Sequence, residues 1–142
     1  MQSFIVRKAT TTELDAVLEL WADAGALPSV TDTRDGLAVL LGYDPEALLV
    51  AVRQERLVGS LVAAFDGWRA NLYRLAVHPA HRREGIATAM LAEAERRLAA
   101  RGARRLTAIV AEHDPRAGGF WRATGYEHQR DRARYVKHPH TP

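Results

Sequence analysis

The sequence has 142 residues, 47% apolar and 26% charged, which suits a single globular domain with a full hydrophobic core. It has no cysteine, which excludes disulfides, thiolate nucleophiles, cysteine-based zinc sites and a secreted disulfide scaffold. The formal charge of +3 comes from 20 basic residues, all arginine but Lys8 and Lys137, scattered among 17 acids rather than gathered in a tract. A nucleic-acid reader needs clustered charge and a reading element, so none is expected; a modest positive excess suits a phosphate-rich anion, or reflects no more than an arginine-rich composition. No apolar run approaches membrane-spanning length and the first residues contain no long apolar leader, so the expected location is cytoplasmic and away from membranes.

Ser3 to Ala9 alternates in period two and predicts a first strand. Thr11 or Thr12 can cap the helix that follows, where Leu14, Val17, Leu18 and Trp21 make one apolar stripe. A short helix is expected around Asp35–Leu41. Leu48–Val52 reads as a strand, Gln54-Glu55 as a turn and Leu57–Phe65 as its hairpin partner. Asp66-Gly67 marks a second turn before a strand over Leu72–Val77. A long helix is predicted from Gly85 to Arg101, with Ile86, Met90, Leu91, Ala94 and Leu98 on one face and Gly102 as its stop. Leu106–Val110 is the next strand and Pro115–Thr124 a short helix. Two late strands are expected near Tyr126–Gln129 and Arg132–Lys137, before a loose tail over 138–142. Tight turns make the early strands antiparallel, whereas the strand–helix–strand unit from Leu72 to Val110 requires a parallel crossover.

The segment Leu75-Ala76-Val77-His78-Pro79-Ala80-His81-Arg82-Arg83-Glu84-Gly85-Ile86-Ala87-Thr88 carries the most chemistry. A buried strand ends, a loop holds basic residues and a glycine, and a helix begins at once. The first backbone N–H groups of that helix lack intrahelical partners and sit at its positive end, a ready anion site. Gly85 removes a side chain where phosphates would approach, and Arg82 and Arg83 bring fork-shaped donors. Neither a Walker loop nor a G-x-G-x-x-G turn is spelled anywhere in the chain.

Arg82-Arg83-Glu84-Gly85-Ile86-Ala87 resembles the R/Q-x-x-G-x-G/A acetyl-CoA pyrophosphate loop of the GNAT N-acetyltransferase superfamily, and Leu-Ala-Val-His-Pro before it is similar to that family's fourth strand. Downstream, Asp114 to Tyr126 resembles the family's N-x-x-A-x-x-F-Y-x-x-x-G-F segment. The resemblance runs from Phe4 to Lys137. It implies an α/β fold in one domain over residues 1–137: a mixed, mostly antiparallel sheet of six to seven strands, flanked by about four helices, with a central parallel pair that splays apart. It also implies acetyl-CoA (coenzyme A) as co-substrate. Its pantetheine arm would lie along Leu75, Ala76 and Val77, and its pyrophosphate on Arg82, Arg83, Gly85, Ile86, Ala87 and Thr88. Asp114, Ala117, Phe120 and Trp121 would complete the cofactor contacts. Glu84 is expected to stay off the pyrophosphate.

The implied reaction is direct attack of a primary amine on the thioester, so positioning and an oxyanion-stabilising N–H of Leu75 or Val77 matter more than a covalent intermediate. The tyrosine often taken as general acid in the family is here Trp121, whose indole does not release a proton. Tyr73 and Tyr126 are alternatives, Tyr126 being more readily a core aromatic. Asn71 stands near the place of a family glutamate and is no base. Asp66, Glu112 and His113 are candidates for the base, each also an ordinary turn or loop residue. The six histidines show no metal-ligand spacing and no metal is expected. Two functions stay open: an N-acetyltransferase, and an acyl-CoA-binding sensor or regulatory module with little catalysis. The acceptor amine is not spelled out by the loop around Ala24–Thr33. A homodimer is compatible with the family and no face is marked for it.

Overall fold

A computed structural model describes residues 3–111 and 114–139. The chain forms two compact units, Met1–Ile109 and Val110–Pro142. In the first, β1 (Ile5–Lys8) leads through a 3-10 turn to α1 (Leu14–Asp23) and α2 (Arg34–Tyr43). Then come β2 (Leu48–Arg53), β3 (Arg56–Phe65), β4 (Arg69–Val77), α3 (Ile86–Ala100) and β5 (Arg105–Ala108). Among the described residues these strands make one five-stranded sheet in the order β1-β2-β3-β4-β5. The first four are antiparallel and β5 joins β4 in parallel. The second unit holds α4 (Pro115–Ala123).

Local chemistry explains the early elements. The N–H of Thr10 donates to Glu13 Oε1 at 2.9 Å, which marks the entry to α1 at Thr10 rather than at Thr11 or Thr12. Thr33 Oγ1 accepts the Gly36 N–H at 2.9 Å and starts α2. Gln54 and Glu55 both take positive φ, 49° and 65°, the twist a two-residue hairpin turn needs between β2 and β3. The apolar stripe of α1 is buried as expected: Leu14, Val17 and Trp21 pack with Leu37 and Leu41 of α2 over Leu48, Val50, Val62 and Ala76 of the sheet. Inside that layer the Trp21 indole N–H donates to Ser60 Oγ at 2.8 Å, satisfying both polar groups. The buried row of α3, Ile86, Met90, Leu91, Ala94 and Leu98, is the predicted one. It packs on β2, β3 and β4. A Cβ on Gly59 of β3 would stand 2.8 Å from Met90 Cε and 3.0 Å from Ile86 Cγ2, so a hydrogen at this position sets how closely the start of α3 approaches the sheet.

Among the described residues the expected six to seven strands are corrected to five. Residues 126–129 and 132–138 are irregular, without strand pairing. The alternation in Arg132–Lys137 offers only two sizeable apolar side chains, Tyr135 and Val136, which are 94% and 60% exposed, so no buried face rewards a ladder there. No helix among the described residues is long and apolar enough to cross a membrane.

Ion pairs set the acid stability. Glu13 accepts two hydrogen bonds from the Arg7 guanidinium, at 2.9 and 2.7 Å, and these with the Thr10 N–H push its carboxyl down to about 2. Hydrogen bonds from Arg96 and Arg97 push Glu93 down to about 2 likewise. Both values lie below the ordinary 4.5, so the unfolded chain binds more protons between them. The stabilisation is present above about pH 5 and is lost as pH falls toward 2. Solvent screening keeps it near 1 kcal/mol for Glu13. Urea unfolding at pH 6 and pH 3 should show this loss, and Glu13→Gln should shrink the difference between the two.

Candidate functional site

The site is built where β4 meets α3. In the β3–β4 ladder Gly59 opposes Val77 and Ser60 opposes Ala76, but Val62 opposes Tyr73. Arg74 and Leu75 therefore stand together across from Leu61, a β-bulge with Arg74 at φ 55°. On its other edge β4 pairs with β5 only over Arg69–Leu72, with one further bond from the Ile109 N–H to the Leu72 carbonyl at 2.9 Å. Among the described residues of this unit no strand pairs with residues 73–77 on that side. The parallel ladder of β4 and β5 therefore ends at Leu72.

The orientation of the free edge follows from one bond. The His78 N–H donates to the Val58 carbonyl at 2.8 Å, so His78 and Val58 are a hydrogen-bonded pair. Alternation along an antiparallel ladder then turns the N–H and C=O of Val77 away from β3. The Val77 carbonyl is met there by Arg82, whose Nε donates at 3.3 Å, while Arg82 Nη2 donates to the Ala24 carbonyl at 3.1 Å. Arg82 is thus a brace between the end of β4, its own loop and the C-terminal end of α1. Arg74 braces the same region: Nη2 pairs with Asp32 at 2.6 Å and Nη1 donates to the Leu27 carbonyl at 2.9 Å, with the guanidinium over the Trp21 ring. The loop between α1 and α2 is held beside the bulge by these two arginines.

After His78, a 3-10 turn over Pro79–His81 leads to Arg83 at φ 64° and Gly85 at φ 81°. Gly85 is the N-cap residue of α3 and no side chain caps that end. The first bond of the helix runs from the Ala89 N–H to the Gly85 carbonyl at 3.0 Å. The N–H groups of Gly85, Ile86, Ala87 and Thr88 precede it and are the ones an α-helix leaves without partners. A Cβ on Gly85 would meet nothing within 4 Å apart from its chain neighbours, so the space beside this residue is open. Arg83, Glu84 and Gly85 are exposed. Four aligned donors at the positive end of a fifteen-residue helix, with an exposed arginine beside them, fit a diphosphate.

The other expected residues fall in different places. Asp66 sits in the β3–β4 turn and accepts the N–H groups of Trp68 and Arg69 at 2.8 and 2.7 Å. Those bonds, Arg69 first, lower its pKa from the ordinary value. It lies at the opposite end of β4 from Val77. Tyr73 is partly buried against the apolar layer beneath α1 and α2. Glu112 and His113 lie outside the described residues. In the second unit, Asp114 Oδ1 accepts the N–H groups of Arg116 and Ala117 at 3.0 and 3.3 Å and starts α4. Ala117, Phe120 and Trp121 follow on that helix, and Trp121 stacks edge-on with Phe120 and Tyr126 at 5.3 and 4.9 Å. The arginine braces at Arg74 and Arg82 were not foreseen as such, since their carbonyl partners are distant in sequence and carry no side-chain signal.

A family model described as the acetyltransferase (GNAT) family matches residues 14–126. An acetyltransferase of Yersinia enterocolitica is 32% identical over 124 residues, which are 87% of this chain and 88% of that protein. Among solved structures, Ard1 from Thermoplasma volcanium shares the fold with a TM-score of 0.79 at 17% identity, over 87% of this chain and 82% of its own. Aminoglycoside N-acetyltransferase AAC(6')-Iy, solved in complex with CoA, does so with a TM-score of 0.76 at 20% identity, over 94% of each chain. The parallel β4–β5 pair, the uncapped helix start and the family match over most of the sequence agree: the chain belongs to the GNAT acetyltransferase family.

Proposed function

We propose that the protein is an N-acetyltransferase that moves the acetyl group of acetyl-CoA to a primary amine by direct attack within a ternary complex. The family match supports acetyl transfer, and the aminoglycoside-acetylating neighbour supports an amine as acceptor. The single observation that carries the reading is structural. A stretch of β4 without a partner on its β5 side leads through the 78–85 loop to a helix start with free N–H groups and an open glycine.

In this reading the N–H groups of Gly85, Ile86, Ala87 and Thr88 hold the diphosphate, with Arg83 adding charge from the rim. The pantetheine arm then runs back along the free edge of β4, where Val77 donates to one of its amides, as an added strand would. Ala76 contributes a small side chain beside it, and Leu75, further from the diphosphate, presents its N–H to the acetyl carbonyl. Asp114, Ala117, Phe120 and Trp121 are assigned to further cofactor contacts. The thioester supplies an already activated acyl group, so the chain's own task is to place it and stabilise the oxyanion. Arg82 acts by holding the Val77 carbonyl and the loop, leaving the direct charge contact to Arg83.

Proton transfer is assigned to Glu112 as base and Tyr73 as acid. Asp66 is given to its turn, because two backbone N–H groups already hold its carboxylate ionised and engaged. Trp121 in the place of a tyrosine favours one other reading, a CoA-binding module with little turnover.

A thiol-release screen of acetyl-CoA against amine metabolites, aminoglycosides and peptide N-termini separates the two. The proposal expects at least one acceptor class to release CoA above the uncatalysed rate, with the signal lost in Gly85→Trp. CoA binding with no release from any amine would support the module instead.

A further inference from the structure

The diphosphate loop contains a non-glycine residue at positive φ, Arg83, directly before Glu84 and Gly85. A strained conformation of this kind persists only where its surroundings over-determine it. The surroundings are supplied from the end of β2. Arg53 Nη1 donates to Glu84 Oε1 and lies 2.8 Å from His81 Nδ1, so one nitrogen ties the residues on both sides of Arg82 and Arg83. The bond to His81 needs an unprotonated Nδ1, which places the ring proton on Nε2. The Arg53 side chain is only 14% exposed, and its Nε is buried with no hydrogen-bond partner. A buried donor left unpaired is unfavourable for folding.

We infer that Arg53 is a positioning residue for acetyl-CoA: through His81 and Glu84 it locks the 81–85 loop in the shape that aims the α3 amides at the diphosphate. The inference rests on the reading that this loop holds the diphosphate. It gives Glu84 a role as well. A carboxylate beside a diphosphate repels it, yet here the charge is matched by Arg53 and serves as a tether for the loop.

The sign of one substitution separates the tether from simple electrostatics. If charge alone mattered, Glu84→Ala would remove a repulsive carboxylate, release Arg53 toward the phosphates and tighten CoA binding. The tether requires the opposite. Calorimetric titration of CoA should give a dissociation constant roughly fivefold to tenfold weaker for Glu84→Ala, and similarly for Arg53→Met. The double variant should be no weaker than Arg53→Met alone, because both changes break one connection. Arg53→Met should keep the fold: it loses the pair to Glu84, whose 40% exposed carboxylate water can solvate, but it also removes a buried unpaired donor while keeping much of the side-chain volume. Tighter CoA binding in Glu84→Ala would overturn the inference. So would a fall in affinity of Arg53→Met that only tracks a loss of stability. Should Arg53→Met fail to fold, the sign for Glu84→Ala, a side chain 40% exposed, still decides. Gly85→Trp in the same titration separates the two levels. Wild-type CoA affinity in that variant removes the diphosphate site itself, whereas its loss alongside normal binding in Glu84→Ala and Arg53→Met removes only the role of Arg53.

Discussion

Gly85→Trp is expected to weaken acetyl-CoA binding by about 100-fold or more while leaving the fold in place. Two facts set these opposite outcomes. A Cβ there would meet nothing within 4 Å apart from its own chain neighbours, so the substitution starts in open space. Its cost to folding is that of a bulky residue at φ 81°, on the order of 1–2 kcal/mol. In the proposed site the diphosphate reaches the N–H groups of residues 85–88 through this same space. Hydrogen bonds to a charged group contribute about 1.5–3 kcal/mol each, so blocking two of them accounts for the expected loss. Calorimetry with CoA reads the first effect and a thermal melt the second. Retained affinity would place the diphosphate elsewhere.

The second large effect comes from a pair of prolines. Val77→Pro should raise the acetyl-CoA KM by about tenfold to 100-fold with little change in stability. The Val77 N–H takes no part in the β3 ladder, and proline is tolerated on a free strand edge. What is lost is one donor to the pantetheine arm, about 1 kcal/mol, together with the space the ring fills. Ala76→Pro is the mirror experiment. The Ala76 N–H belongs to the pair with Ser60, so removing it breaks the ladder and should cost roughly 3 kcal/mol of stability. Thermal melts and steady-state kinetics of both variants check the assignment. A Val77→Pro protein that binds normally, or an Ala76→Pro protein that melts like wild type, would show that the strand faces have been exchanged.

Much of this site was legible in the sequence because it depends on local rules. The apolar rows of α1 and α3 follow the helical period, and the change from strand to glycine-started helix at Val77–Ile86 is visible residue by residue. Thr10-x-x-Glu13 is legible too, as a capping box one residue ahead of the expected caps Thr11 and Thr12. Other features have no local signal. The bulge at Arg74–Leu75 carries neither glycine nor asparagine, and its backbone is held by the reach of Arg74 to Asp32, 42 residues away. Arg82 resembles a phosphate ligand in sequence, yet its guanidinium bonds two carbonyls, one of them on a residue 58 positions earlier. Arg53 sits at a hairpin end like any surface arginine, and only the fold brings it to Glu84. The late strands failed for the reverse reason. Alternation was present in Arg132–Lys137 without enough apolar surface to bury.

The most direct measurement of the central claim is a crystal structure of the protein with CoA. The diphosphate should lie within hydrogen-bond distance of the amide nitrogens of residues 85–88, with the pantetheine arm along residues 75–77. A CoA molecule bound with its diphosphate away from the start of α3 would contradict the account.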